Sequence, residues 1–229
     1  MLRKLDDIPI KITLESALEQ LRVKETEDVE LISELFEAAR KIVRPKALYR
    51  EAFVDEISGS NVRINGVDFE SDVLAMALKD VHRVFAYVCT CGTEVDDWSR
   101  KEKDYFITVW LDMIKGMFLA DAIEFLKTHF NNTYEFKNLS AINPGSGNEE
   151  NWHISQQKQL FEMIGDVKSE IGVTLTNTFL MLPTKTVSGL QFSTESEFSN
   201  CALCTRENCI SRKVEFNKEL YDSVFNKHP

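Results

Sequence analysis

Long apolar runs are missing from this 229-residue sequence. No stretch approaches the roughly 20 apolar residues that a helix needs to cross a bilayer, and the opening MLRKLDDIPIKITLES is too polar for the core of a signal peptide. Cations are also scarce. Lys and Arg number 27 against 37 Asp and Glu, a formal charge of −10, the reverse of what neutralising phosphates requires. Membrane and nucleic acid are therefore not expected partners. The four histidines (82, 129, 153 and 228) have no ligand spacing among themselves or with the acids, which argues against a histidine metal or catalytic centre. Nine Gly and five Pro exclude a collagen-like or low-complexity chain. Five Cys is an odd number, which does not suit a fully paired disulfide framework, so a reduced cytoplasm is the expected location.

What is present is an ordinary globular balance, 43% hydrophobic and 28% charged. Leu14, Ala17, Leu18 and Leu21 recur at helical spacing from Thr13, and a second helix is predicted over 27–42, ended by Pro45. The period then changes. Residues 47–57 read as a strand, Ser58-Gly59-Ser60 as a turn and Val62–Ile64 as the partner strand. A helix is expected over 70–80 and a buried strand over 84–90. From 95 to 130 the apolar residues are too abundant for a thin seam, which predicts a largely buried central helix over about 104–127 with a break near Gly116. Residues 131–151 contain Asn-Pro-Gly-Ser-Gly-Asn and read as the longest loop, followed by a helix over 155–164. Two β segments, 173–181 and 187–192, flank a turn at Pro183.

No repeat appears, so the expectation is one α+β domain over 1–229, with a curved, mainly antiparallel sheet, packed helices and a buried central helix. It carries a helical extension over 1–26 and a cysteine-containing tail over 198–229. In that tail Cys201, Cys204 and Cys209 are spaced so that thiolates could converge on one soft metal ion or iron-sulfur cluster. A fourth ligand could come from Cys89 or Cys91. Plain reduced thiols, or a disulfide pair, fit the same spacing.

Two loops carry a recognisable pattern. Asn143-Pro-Gly-Ser146 is followed by a helix and then by Ile-Gly-Val-x-Leu-Thr-x-[Ser/Thr]-x-x-Met-x-Pro-x-x-[Ser/Thr]-Val-Ser-Gly, ending at Gly189. With Arg44-Pro-Lys-Ala-Leu-Tyr49, Cys91-Gly-Thr-Glu-Val-Asp96 and Leu111-Asp112, this set resembles the reactivation domain of cobalamin-dependent methionine synthase, in its free-standing bacterial form. The Cys201, Cys204, Cys209 tail with Arg212 is similar to that of stand-alone members. The resemblance runs in order from about Ala38 onward.

The resemblance implies an accessory activation subunit, not a complete enzyme. Such domains hold S-adenosylmethionine against the cobalamin of a partner, so that cob(II)alamin, reduced by one electron, is captured by remethylation. The partner implied is a corrinoid-binding methyltransferase protein acting in trans, with a flavodoxin-like or other electron donor. The ligand would be held by Asn143, Pro144, Gly145, Ser146, Thr176, Asn177, Ser188 and Gly189, in a cleft between residues 141–147 and 174–189. No residue is expected to act as acid, base or nucleophile, since that chemistry belongs to the cofactor. Cobalamin enters only through the partner. Asp80-Val-His82 begins like an Asp-x-His-x-x-Gly cobalamin motif, but Phe85 stands where the Gly belongs.

Three positions depart from the family pattern. The first loop usually reads Arg-x-[Ser/Ala]-Pro-Gly-Tyr, and here Ala141 and Ser146 replace the Arg and the Tyr; the second reads Leu-Thr-Glu-Ser, and here Asn177 replaces the Glu. A carboxylate partner, an aromatic wall and an acid are lost. The alternative is therefore a non-catalytic module that docks on a corrinoid protein without S-adenosylmethionine, with the cysteine cluster as a metal or redox element.

Overall fold

The computed structural model describes residues 1–23, 25–136, 138–194, 198–209 and 212–226. The chain begins with β1 (Leu2–Leu5), α1 (Leu14–Leu21) and α2 (Thr26–Ile42). As the sequence predicts, Thr13 caps α1, its side chain accepting the Ser16 N–H. Then come β2 (Lys46–Ser58), β3 (Asn61–Ile64), β4 (Val67–Glu70), α3 (Asp72–Ala77), β5 (Arg83–Thr90) and α4 (Thr93–Ser99). The long helix α5 (Tyr105–Tyr134) leads to β6 (Leu139–Ile142), α6 (Gln157–Ile164) and α7 (Val167–Ile171). A small hairpin of β7 (Thr174–Leu175) and β8 (Met181–Leu182) precedes β9 (Thr186–Ser193), and α8 (Lys218–Phe225) follows.

The main sheet runs β4-β3-β2-β5-β9-β6, with β1 paired to the first half of β2, and its registers are antiparallel. This is the predicted α+β class. Strand β5 is buried on both faces, which explains why it reads as a continuous apolar run. Val84, Ala86 and Val88 pack with α3, α6, α7 and α8, whereas Phe85, Tyr87 and Cys89 pack under Ala122, Leu126 and Phe130 of α5. Phe130 lies 4.7 Å from the Tyr49 ring and 4.9 Å from Phe85, and each such aromatic pair adds about 0.5–1.5 kcal/mol beyond its buried area. A third cluster joins α1, α2, α4 and the middle of α5.

The helical stretch breaks at residues 100–104, not at Gly116. Asp104 caps the new helix by accepting the Phe106 and Ile107 N–H groups, while Gly116 sits inside a turn with only the Lys185 side chain near it. A glycine costs a helix about 1 kcal/mol, less than the packing around it supplies. Lys115, 6% exposed, bonds Asp96 and Ser99 at 2.9 Å each and so fastens α5 to α4. The first turns of α5 are exposed at Tyr105 and Phe106, contrary to the expectation of burial. Strands β1, β4 and β6 and helices α7 and α8 had no counterpart in the sequence reading. The segment 173–181, read as a strand, is mostly turn. No helix among the described residues is long and apolar enough to cross a membrane.

Candidate functional site

Strands β6 and β9 meet in a four-residue register in which Ile142 faces Leu190. Asn143, the first residue beyond β6, turns its amide back over the sheet and donates 2.8 Å to the Tyr87 hydroxyl and 2.7 Å to the Ser188 carbonyl. Tyr87 faces Gly189 across the β5–β9 ladder. A Cβ at Gly189 would stand 2.4 Å from the Asn143 amide nitrogen and 2.4 Å from the Ile142 carbonyl. Only glycine leaves this room. Burial pushes the Tyr87 hydroxyl up to about 12, so it stays protonated, with the Asn143 donor opposing that shift.

From Asn143 the chain makes a tight turn. The Ser146 N–H returns to the Asn143 carbonyl at 3.1 Å, and the Gly145 N–H bonds the Trp152 carbonyl at 2.8 Å. Gly145 has φ +76, and its missing Cβ would press on Ile154 at 3.1 Å. Trp152 anchors the far end of the loop: it is fully buried, edge-on to Phe69, and donates its indole N–H to Gln156. Gln156 in turn takes the Glu70 N–H and donates to the Glu70 carbonyl. Gly145 is exposed and Ser146 half-buried, while Pro144 is buried. Beneath the loop, Asn151 is wholly buried with both side-chain amide atoms unpartnered, as is one oxygen each of Gln191 and Asn200.

The second predicted loop folds on itself. Thr176 accepts the Leu180 N–H at its hydroxyl and shares a bond with Thr178, and Phe179 takes φ +62. Asn177 is exposed at the hairpin tip. After the hairpin, Lys185 pairs with Asp112 at 2.7 Å. The structure therefore brings Asn143, Ser188 and Gly189 together, with Pro144, Gly145 and Ser146 as the turn they support. Thr176 and Asn177 belong to a separate hairpin whose bonds are local. Ser188 and Gly189 are buried, so they shape the site from below. Tyr87, which no sequence motif marked, is the group around which it is built. Its signal was its place in a buried strand, where a hydroxyl must find a partner.

Two cavities among the described residues lie elsewhere. One is walled by Glu56, Arg63 and Asp68 of the β2–β4 meander, the other by Ile8, Arg40 and Arg44 beside the start of β2.

The tail folds over the 143–151 loop. Asn148 accepts the Thr205 N–H and hydroxyl and donates to the Leu203 carbonyl, and the Phe198 N–H bonds the Ser140 hydroxyl. All five cysteines are free thiols. Among the described residues no three His, Cys, Asp or Glu side chains are grouped to hold a metal ion. Cys89 is buried in β5 and Cys91 just beyond its end, in the cluster of α1, α2, α4 and α5, and burial raises both thiols, Cys91 to about 12. Cys201 differs. Its sulfur accepts the Lys213 N–H at 3.5 Å, which holds the thiol below its ordinary range. His228 lies outside the described residues.

Residues 127–213, from the last turns of α5 through the loop, the hairpin and β9 into the tail, match the family model of the vitamin B12 dependent methionine synthase activation domain. No curated protein sequence matches the chain. Among solved structures, the crystal structure of the MetH reactivation domain bound to AdoHcy superposes with a TM-score of 0.60, over 87% of this chain and 80% of that one, at 14% identity. At that identity the superposition speaks for the fold. Residues 127–213, which hold the candidate site, are thus similar in sequence to the methionine synthase activation domain, and the chain shares the fold of the MetH reactivation domain.

Proposed function

We propose that the protein is an accessory activation module that binds an S-adenosyl ligand across the turn after β6 and presents it to a corrinoid-binding methyltransferase protein in trans. The reading rests on the Asn143–Gly189 contact, which fixes the Pro144–Ser146 turn at the sheet edge with an exposed Gly145 backbone. In this role S-adenosylmethionine supplies the methyl group, a flavodoxin-like or other donor supplies the electron, and the chain contributes binding and orientation. The backbone of 143–146 suits a ligand rich in polar groups. The side chains grip less. Ala141 offers no charge to a carboxylate, Ser146 no aromatic wall, and Asn177 no acid to a ribose or cation. Each charge-assisted bond contributes about 1.5–3 kcal/mol, so each one lost weakens the affinity about tenfold or more.

The second reading, a docking module without the ligand, is favoured by one observation: the Asn143 donors and the Thr176 hydroxyl are already used inside the protein. Calorimetric titration with S-adenosylmethionine separates the two. Sub-millimolar binding supports the first. No heat at millimolar ligand, together with tight binding to a corrinoid protein, supports the second.

A further inference from the structure

Cys201 lies within a short 3-10 turn over Asn200–Leu203 and Cys204 follows it directly, and the Cys204 N–H bonds the Cys201 carbonyl at 3.3 Å. An i to i+3 bond of this kind brings the two Cα atoms within about 7 Å, and a disulfide spans about 4.4–6.8 Å between Cα atoms. The two thiols are differently placed. Cys201 is half-buried, with its sulfur reached by the Lys213 N–H, whereas Cys204 is buried. Arg212 stands over the turn and donates to the Cys201 and Cys204 carbonyls at 3.2 Å each, placing a fixed positive charge beside the pair. A reachable sulfur next to a cation, with a sheltered thiol three residues on, is the arrangement of a dithiol that exchanges with disulfides.

We propose that Cys201 and Cys204 form a thiol–disulfide exchange site whose substrate is a disulfide, with Cys201 as the attacking sulfur and Cys204 as the resolving one. The Cys201 thiolate attacks one sulfur of RS–SR, breaks that bond, forms a mixed disulfide and releases RS⁻. Cys204 then attacks the Cys201 sulfur and releases the second RS⁻, leaving a Cys201–Cys204 disulfide. Two electrons pass from the protein dithiol to RS–SR, and the two protons of the dithiol end on two RSH. Cys89 and Cys91, both fully buried, take no part. The site does not depend on ligand binding at the β6 turn.

The test uses the full-length reduced protein and oxidised glutathione. Two of the five thiols should be lost without retained glutathione, and a non-reducing peptide map should join Cys201 to Cys204. Cys204→Ser should keep one glutathione on Cys201, and Cys201→Ser should leave the Cys204 thiol free. Cys204→Ala serves as a second trap, and circular dichroism checks that each variant is folded. The proposal is overturned if Cys201 remains a free thiol, if the bond formed joins Cys209 instead, or if Cys201→Ser takes up glutathione at Cys204 as fast as the parent.

Discussion

Asn143 occupies the space that a side chain at Gly189 would fill: its amide nitrogen lies 2.4 Å from where that Cβ would stand, and bonds the Ser188 carbonyl and the Tyr87 hydroxyl. The contact ties the end of β6 to β9 and β5 at once. It explains why Ser188-Gly189 and Asn143-Pro144, far apart in sequence, act as one unit.

Gly189→Ala should therefore cost more than the loss of a flexible glycine. The added methyl displaces Asn143 and takes a bond from the Ser188 carbonyl and from the Tyr87 hydroxyl, which Gln191 still reaches, where an unsatisfied buried group costs about 1–3 kcal/mol. Urea unfolding should show a loss of about 2–4 kcal/mol. Asn143→Ala and Gly189→Ala combined should cost clearly less than their sum, since both break the same contact.

Ala141→Arg should restore a charge at the turn. A guanidinium paired with the ligand carboxylate adds about 1.5–3 kcal/mol, a tenfold or larger gain in affinity for S-adenosylmethionine by calorimetry. Ala141 is half-buried beside Gln191 at the sheet edge, so the longer side chain has a way out to solvent.

The turn was legible in the sequence because Pro, Gly and the Val-Ser-Gly strand end are local signals. Tyr87 was not, because its role depends on a register across three strands. Strand β6 hid inside a polar stretch: only Ser140 and Ile142 of its four residues are buried, too short a run for alternation to show. The break in the long helix was misplaced onto Gly116 because glycine is a visible breaker, whereas the decisive signal was the Asp104 cap. The hairpin around Thr176 was read as strand from its β-branched residues, and its turn chemistry overrode them.

His129 makes stability depend on pH. Burial holds its pKa below the ordinary value, and its ring accepts or donates a bond at 2.8 Å to Tyr49. The unfolded chain binds the proton more readily, so this contribution is complete above a pH of about 6.5. It is lost as the pH falls from there through the lower folded value. Chemical denaturation at pH 7.5 and 5.5 should show a drop in the wild type that His129→Gln largely removes.

Asn148→Ala should free the tail from the loop. Three bonds to Leu203 and Thr205 disappear, so amide hydrogen exchange should quicken over residues 200–205 while β5 and β9 keep their protection.

The most direct measurement is an amide chemical-shift map of ¹⁵N-labelled protein titrated with S-adenosylhomocysteine. Saturating shifts should centre on Gly145 and Ser146, weakened by Asn143→Ala and strengthened by Ala141→Arg. Shifts centred elsewhere, or none at millimolar ligand, would contradict the proposed site.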